Sequence, residues 1–195
     1  FVDINRFNTT AAKPKVPSAV FKLISVGALR KQKNYEYLVA AMAKLTDVTV
    51  ELHIYGVGEL QTDLQNKINE TGANIVLKGE VNNINEILPL YDLYVMSSTY
   101  EGFSLSVLEA MAMGMPLLLS DIKSFREQCE DIASYFSLAD TADGARQIKI
   151  MSEKKPDELQ QMGERAKQRA INNFTLQKHL QGLRTIYTDA LSSNL

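Results

Sequence analysis

Short apolar runs alternate with amphipathic stretches along the chain from Ala19 onward. The runs with the length and composition of strands are 21–27, 48–56, 74–79, 93–97, 116–120 and 132–136. Apolar residues at helical spacing predict helices over 34–45, 60–72, 84–91, 141–151, 156–172 and 175–192, with a loop-to-helix segment at 100–114. Strands separated by single helices form βαβ units, so the pattern predicts an α/β fold with a doubly wound, mostly parallel six-stranded sheet and helices on both faces.

The ends of the chain differ from this regular middle. Residues 8–18 (NTTAAKPKVPS) hold two prolines and small polar residues without periodicity, which is typical of a linker. We therefore divide the chain into a linker segment at 1–18, one α/β domain at 19–173 and a C-terminal helical segment at 174–195. The sequence begins with Phe1 and reads as a piece of a longer protein.

Composition excludes several classes of protein. The 21 Lys and Arg against 23 Asp and Glu give a net charge of −2, which provides no overall attraction for nucleic acid or an anionic membrane. A single cysteine cannot form an intrachain disulfide, and one cysteine with two histidines cannot supply a structural zinc site. The longest apolar runs, about five residues, are too short to span a bilayer. Because a lone cysteine suits a reducing compartment, we expect a cytoplasmic protein.

The loop after the first strand, VGALRKQKN at 26–34, is the first candidate site. Gly27 ends the strand without a side chain, so a ligand can approach the backbone. Arg30, Lys31 and Lys33 follow just before a helix N-terminus, and this combination suits a phosphate or diphosphate. A solvated basic loop would have the same composition. The glycine pattern of nicotinamide-binding proteins is absent here, which argues against a dehydrogenase.

The loop after the fourth strand, STYEGFSLSVLEA at 98–110, is the second candidate site. Gly102 permits a sharp turn, and the backbone N–H groups of Phe103, Ser104 and Leu105 would open the next helix. Free N–H groups at a helix start bind anions or hydroxyls.

Two carboxylates flank this second loop. Glu101 precedes the turn, and Glu109 lies about one helical turn inside, leaning back towards the helix start. Both could face one crevice, where one accepts hydrogen bonds from ribose hydroxyls and the other meets the reacting group. Acids near a helix N-terminus are also favourable for dipole reasons alone, so their spacing does not decide between a site and a structural role.

The segment MSSTYEGFSLSVLEAMAMGMPLLLSD at 96–121 resembles the donor-site signature of the group 1 (family 4) retaining glycosyltransferases. The matching positions are Ser98, Glu101, Gly102, Phe103, Glu109, Ala110, Met111, Ala112, Gly114 and Pro116. VGALRKQKN, IYGVGE, LKGEV and the opening FVDINRF resemble other segments of the same family. Those enzymes have the GT-B architecture of two Rossmann-like domains, so the resemblance implies that this chain is the carboxyl-terminal, donor-binding half.

The resemblance also implies roles for individual residues. Lys33 would contact the diphosphate of a nucleoside-diphosphate sugar, and Glu109 the ribose hydroxyls. Glu101 would be the catalytic residue, a carboxylate beside the transferred sugar that positions it and stabilises charge, with the amides of residues 103–105 as further donor contacts. The base would lie against the backbone of Gly79–Val81. No metal ion or other cofactor is expected.

One departure leaves an alternative open. The family usually has an arginine after the glycine of the first loop, whereas this sequence has Ala28. Arg30 or Lys31 could substitute for it. Alternatively, the chain is a non-catalytic Rossmann-like nucleotide-binding or scaffolding module that has kept the fold and lost the diphosphate clamp.

The GT-B architecture implies what lies outside this sequence. We expect an N-terminal, acceptor-binding domain of the same protein, against which the helix at 174–195 packs. The complete enzyme would transfer a hexose to a glycan, a lipid or another acceptor, as in polysaccharide biosynthesis. The 195 residues alone would transfer none, because closure of two domains assembles the site. Peripheral membrane contact would come only through the absent half.

Overall fold

A computed structural model describes residues 1–3, 6–7 and 19–192 of the chain. Most of the linker predicted at 1–18 therefore lies outside the described residues, and so does the end of the C-terminal segment at 193–195. The regular elements begin at Phe21, where the sequence pattern places the first strand.

The sheet has the predicted class. Its strands are β1 (Phe21–Val26), β2 (Val50–Tyr55), β3 (Ile75–Gly79), β4 (Leu93–Met96), β5 (Leu117–Ser120) and β6 (Ser134–Phe136). They form one six-stranded sheet in the order β3-β2-β1-β4-β5-β6, and every pair is parallel. The order reverses between β1 and β4. In such a sheet ligands bind where the strand order reverses, at the carboxyl ends of the strands.

The helices follow the predicted sequence of elements with one addition. They are α1 (Tyr35–Met42), α2 (Gln61–Thr71), α3 (Ile84–Ile87), α4 (Leu105–Ala112), α5 (Lys123–Cys129), α6 (Thr141–Ser152), α7 (Pro156–Asn173) and α8 (Leu176–Ser192). The sequence pattern did not predict α5. That helix has only seven residues, among which Phe125 and Cys129 are the buried apolar ones. A segment this short shows no helical periodicity.

Helices cover both faces of the sheet, as predicted. In β1, Leu23 packs into the core formed with α1, α2 and α6, whereas the next residue, Ile24, packs into the core formed with α3, α4, α5 and α7. Successive side chains of a strand point to opposite faces, so the continuous apolar runs of the central strands supply both cores. This double burial fixes the carboxyl ends of β1 and β4 side by side.

Three loops at the carboxyl edge of the sheet are pressed together. The backbone N–H of Gly56 donates to the carbonyl of Gly79 at 2.8 Å, and that of Leu29 donates to the carbonyl of Val57 at 3.0 Å. Gly56 has a φ of +147°, and a Cβ there would overlap the carbonyl oxygen of Gly27. The two glycines of the loop after β2, Gly56 and Gly58, therefore serve close backbone packing, which holds the loop after β1 in place.

The last helix starts where the sequence predicts. Thr175 Oγ1 accepts a hydrogen bond from the backbone N–H of Lys178 at 3.3 Å, which is the N-cap contact of α8. Val2 bridges to this turn, and its backbone N–H donates to the carbonyl of Phe174 at 2.9 Å. Among the described helices, none combines the length and the apolar composition of a membrane span.

Candidate functional site

The two loops singled out in the sequence lie against each other. Ser97 Oγ donates to the carbonyls of both Lys33 and Asn34 at 2.9 Å. The backbone N–H of Thr99 donates to the carbonyl of Gln32, also at 2.9 Å. These loops follow β1 and β4, the strands between which the sheet order reverses. The structure therefore places them together at the edge where doubly wound sheets bind ligands.

An ion pair joins the two loops. Lys33 Nζ lies 2.7 Å from Glu101 Oε1, and the two side chains are only 16% and 8% exposed. Ser98 Oγ donates to the same carboxylate oxygen at 2.7 Å, and Gln32 Nε2 donates to the other oxygen at 3.2 Å. The Glu101 carboxylate thus accepts from three side chains, one of them charged. Such charge-assisted hydrogen bonds fix its orientation more firmly than neutral ones would.

Gly27 has a different use from the predicted one. A Cβ at this position would stand 3.0 Å from Lys33 Cε and 3.0 Å from the hydroxyl of Tyr35. The space on the Cβ side of Gly27 is therefore occupied by the lysine stem and the Tyr35 hydroxyl. Glycine here lets Lys33 turn back across the end of β1 towards Glu101.

The structure at the start of α4 contradicts the expectation that the backbone N–H of Ser104 is a free donor. The helix begins at Leu105, and Ser104 is its N-cap, with Oγ accepting from the backbone N–H of Val107 at 3.4 Å. The N–H of Ser104 itself donates to Gln128 Oε1 at 3.1 Å, and Gln128 Nε2 donates back to the Ser104 carbonyl at 2.9 Å. The amide of Ser104 is therefore already bonded in this conformation, unlike the free donor predicted from the sequence.

The residues around Ser104 are open to solvent. Phe103 and Leu105 are 44% and 60% exposed, and the Phe103 ring meets Phe174 edge-on, with 5.3 Å between centroids. Gly102 does not adopt a positive φ, and a Cβ there would meet nothing within 4 Å. The turn therefore does not require glycine's conformational freedom, and the space over residue 102 is clear.

Glu109 lies on α4, outside the Lys33–Glu101 contact. It is half-buried, and this burial raises the pKa of its carboxyl, while the guanidinium of Arg6 acts in the opposite direction. Arg6 Nη2 donates to the carbonyl of Asn82 at 2.8 Å. Arg6 therefore connects the neighbourhood of Glu109 to the loop after β3. Arg6 lies in the opening segment FVDINRF, which resembles a segment of the family, but the resemblance implied no role for this residue.

Glu109→Gln is expected to raise the melting temperature at neutral pH. Because the folded-state pKa is raised, the ionised carboxyl destabilises the fold, and stability falls as the pH rises from about 4.3 through the raised pKa. The variant removes this penalty, so melting curves at pH 4 and pH 7.5 should differ from wild type only at the higher pH. Glu70→Gln, at an exposed position of α2, is the control. A lower melting temperature at pH 7.5 would contradict this interpretation.

The remaining residues predicted to contact the donor, Gly79, Val81 and Arg30, lie outside the Lys33–Glu101 contact. Gly79 has a φ of +72° and clear space around it, and Val81 packs partly against the core. Arg30 is exposed and precedes the 3-10 turn Lys31–Lys33. The structure thus brings Lys33 and Glu101 into direct contact and leaves Arg30 outside that contact.

A groove away from the two site loops is larger than the cavity beside Glu101. Its volume is about 980 Å³, and its walls come from the region of β6 and α7, including Ile132, Met162 and Arg165. A smaller cavity of about 350 Å³ borders Glu101 and the start of α5. None of the predicted site residues lines the large groove, so its size alone does not make it the functional site.

Doubly wound parallel sheets bind ligands at the carboxyl ends of their strands, near the reversal of strand order, and the lysine–glutamate pair of this chain lies there. Residues 7–169 match the family described as "Glycosyl transferases group 1". Because this match covers most of the chain, the chain belongs to that family, as the sequence resemblance implies.

Curated relatives agree with this assignment. The chain is 34% identical over 176 residues to N-acetyl-alpha-D-glucosaminyl L-malate synthase of Bacillus anthracis, covering 87% of this chain and 45% of the relative. It is 36% identical over 116 residues to the GtfA subunit of the UDP-N-acetylglucosamine–peptide N-acetylglucosaminyltransferase of Streptococcus gordonii, covering 56% and 22%. The chain therefore spans less than half the length of these relatives.

Solved structures confirm the fold. A glycosyltransferase from Rickettsia africae superposes with a TM-score of 0.84 at 19% identity, covering 97% of this chain and 55% of that one. The pneumococcal O-GlcNAc transferase GtfA in complex with UDP and GlcNAc superposes with a TM-score of 0.72 at 25% identity, covering 88% and 36%. This chain has the fold of about half of a GT-B enzyme. The family match and the relatives named as glycosyltransferases favour the donor-binding interpretation over a non-catalytic module.

Proposed function

We propose that this chain is the part of a retaining glycosyltransferase that binds the nucleoside-diphosphate sugar. The observation that carries the proposal is the contact between Lys33 and Glu101 at the reversal of strand order in a group 1 family member. A cation and a carboxylate held side by side can contact the two groups that the breaking bond joins. The cation contacts the diphosphate, and the carboxylate contacts the sugar.

The proposed chemistry uses fixed charge. Cleavage of a sugar–phosphate bond develops negative charge on the diphosphate and positive charge on the sugar ring. Lys33 is assigned to the diphosphate, together with the backbone amides of Phe103 and Leu105 near the start of α4, because a cation and hydrogen-bond donors stabilise developing negative charge. Glu101 is assigned to the sugar, where its carboxylate positions the ring and stabilises positive charge. No metal ion is invoked in this scheme.

The rest of the donor is assigned to the rim of the cleft. Glu109 is proposed to accept hydrogen bonds from the ribose hydroxyls, and the backbone of Gly79–Val81 to contact the base. The clear space over Gly79 and Gly102 supports this placement, since a ligand can approach both backbones. Arg30 is placed at the diphosphate, where Ala28 provides no cation. The pneumococcal relative was solved with UDP and GlcNAc, so uridine diphosphate is the first nucleotide to test.

The complete protein is proposed to have a second domain that binds the acceptor. The relatives are more than twice as long as the matched segment, and α8 carries a row of exposed apolar side chains. The members of the row, spaced three or four residues apart, are Leu176, Leu180, Leu183 and Tyr187. We assign this row to the contact with the absent domain. A cytoplasmic enzyme of polysaccharide biosynthesis, with membrane contact only through the absent half, fits this arrangement.

Isothermal titration calorimetry on the 195-residue chain tests the donor proposal. We expect one of UDP, GDP and ADP to bind at submillimolar concentration, and the chain alone to transfer no sugar from the matching donor. If all three nucleotides and their common sugar derivatives fail to bind at millimolar concentration, the proposal is wrong. A full-length protein that binds its donor and transfers nothing to any acceptor would instead favour the non-catalytic module that Ala28 suggests.

A further inference from the structure

Gln32 joins the two site loops through more contacts than the sequence suggests. Its side-chain Nε2 donates to the carbonyl of Tyr100 at 2.9 Å and to Glu101 Oε2 at 3.2 Å. Its own carbonyl accepts from the backbone N–H of Thr99 at 2.9 Å and from the Thr99 hydroxyl at 3.3 Å. The residue lies in the 3-10 turn between Lys31 and Lys33 and is half-buried.

The partners of the Glu101 carboxylate differ in what else they can bind. Lys33 and Ser98 share Oε1, whereas Gln32 is the donor that the structure shows on Oε2. A diphosphate in the cleft would compete with Glu101 for the ammonium of Lys33, because phosphate is also an anionic acceptor. Gln32 and Ser98 carry no charge, so a diphosphate attracts them less strongly than the ammonium, and they are the donors left to the carboxylate when the lysine turns to the ligand.

We infer that Gln32 is a positioning residue, which holds the carboxylate of Glu101 towards the donor sugar while Lys33 contacts the diphosphate. This inference rests on the proposed function, since it assigns Glu101 to the sugar. The amide of Gln32 supplies one hydrogen to the Tyr100 carbonyl and the other to Glu101, so it ties the orientation of the carboxylate to the backbone of its own loop.

The inference makes a specific distinction between two ligands. A nucleoside diphosphate reaches Lys33 but has no sugar for Glu101, whereas the corresponding nucleotide sugar uses both residues. Loss of the Gln32 amide should therefore weaken binding of the sugar-bearing ligand and leave the sugar-free one almost unchanged. A side chain that merely fills space would affect both ligands equally, because it would shift the shared loop.

Two substitutions separate hydrogen bonding from packing. Gln32→Met keeps the approximate size and removes the amide. Gln32→Glu keeps the shape but presents an acceptor to the Glu101 carboxylate and to the Tyr100 carbonyl, and like charges at this distance repel. If the amide positions Glu101, the glutamate variant is the worse of the two. If Gln32 only fills space, Gln32→Met changes the affinity for both ligands equally.

Calorimetry with UDP and UDP-N-acetylglucosamine on the 195-residue chain provides the test, with the GDP or ADP pair used if the wild type prefers that base. Gln32→Met is expected to lower the affinity for the nucleotide sugar about five- to tenfold, the worth of one such hydrogen bond, and to change that for the nucleotide less than twofold. Gln32→Glu should lower the nucleotide-sugar affinity further. Gln65→Met and Gln65→Glu, at an exposed glutamine of α2, are the controls and should change neither affinity.

The possible failures are distinguishable. Equal losses for both ligands, or a Gln32→Glu variant that matches wild type, overturn the positioning role and leave the proposed function intact. A wild-type chain that binds no nucleotide and no nucleotide sugar overturns the proposed function, and the role of Gln32 with it. A nucleotide-sugar affinity that falls in the Gln32 variants and not in the Gln65 controls supports both the proposed function and the positioning role of Gln32.

Discussion

Lys33→Met is expected to lower the affinity of the chain for a nucleoside diphosphate by about 10- to 100-fold, the worth of one hydrogen bond to a charged group. Methionine keeps the stem that crosses Gly27 but removes the ammonium, which the account assigns to the diphosphate. Calorimetry at low and moderate salt measures the loss. Because Glu101 would lose a charged partner within a largely buried pair, the variant should also melt at a lower temperature, so binding is measured well below that transition.

Lys31→Met is the matched control for this prediction. It lies in the same loop and removes the same formal charge, but its side chain is exposed. We expect its nucleotide affinity to stay within about twofold of wild type, since exposed charges are screened by solvent and salt. If the two variants lose affinity equally, a diffuse basic loop rather than the ammonium of Lys33 binds the phosphates.

Gly56→Ala is expected to be the most destabilising of the substitutions considered, by roughly 3–5 kcal/mol. Two causes combine: a φ of +147° is strained for any residue with a Cβ, which costs about 1–3 kcal/mol, and the Cβ would overlap the Gly27 carbonyl, which costs about as much again. Urea unfolding followed by circular dichroism measures the change. Because the overlap displaces the first loop, the variant should also lose nucleotide affinity while still folded.

Gly72→Ala separates the two causes. Gly72 ends α2 with a φ of +66°, but a Cβ there would meet nothing within 4 Å. This variant should lose about 1–2 kcal/mol from the positive φ alone and keep its nucleotide affinity. If Gly56→Ala lowers the free energy of unfolding by no more than Gly72→Ala does, the contact between the loops after β1 and β2 does not hold the site.

The sequence was sufficient to predict the class of sheet and the edge at which the two loops lie. Strand runs separated by single helices dictate parallel connections, and parallel connections bring the loops after β1 and β4 to one edge. That argument needs only the pattern of apolar residues and the glycines. It therefore placed Lys33 and Glu101 at the same edge although they are 68 positions apart.

The side-chain partners within the site were not predictable in the same way. Gln128 accepts a hydrogen bond from the backbone N–H of Ser104, although the two residues are 24 positions apart. It lies on α5, a helix too short to show periodicity. Gln32 reaches Glu101 across 69 residues, and Arg6 reaches Asn82 across 76. Such contacts depend on the rotamer of one polar residue within a folded frame. Polar residues in loops carry no periodic signal that would identify which of them turn inwards.

The ion pair also determines which contact of Lys33 a diphosphate would have to replace. Lys33 rests on Glu101, so a diphosphate must draw the ammonium away from a carboxylate that keeps Ser98 and Gln32 as donors. These two neutral contacts reduce the cost of leaving the largely buried Glu101 carboxylate without its cation. Under the proposed function, arrival of the diphosphate would release Lys33 while Glu101 keeps its neutral donors.

Titration of the ¹⁵N-labelled chain with UDP, GDP and ADP, followed by ¹H–¹⁵N chemical shifts, tests the central claim most directly. The account predicts that one nucleotide shifts the backbone signals of residues 27–34, 79–81 and 101–105 together, with a common dissociation constant. It would be contradicted if no nucleotide shifted them, or if the shifts clustered instead at the groove of Ile132, Met162 and Arg165.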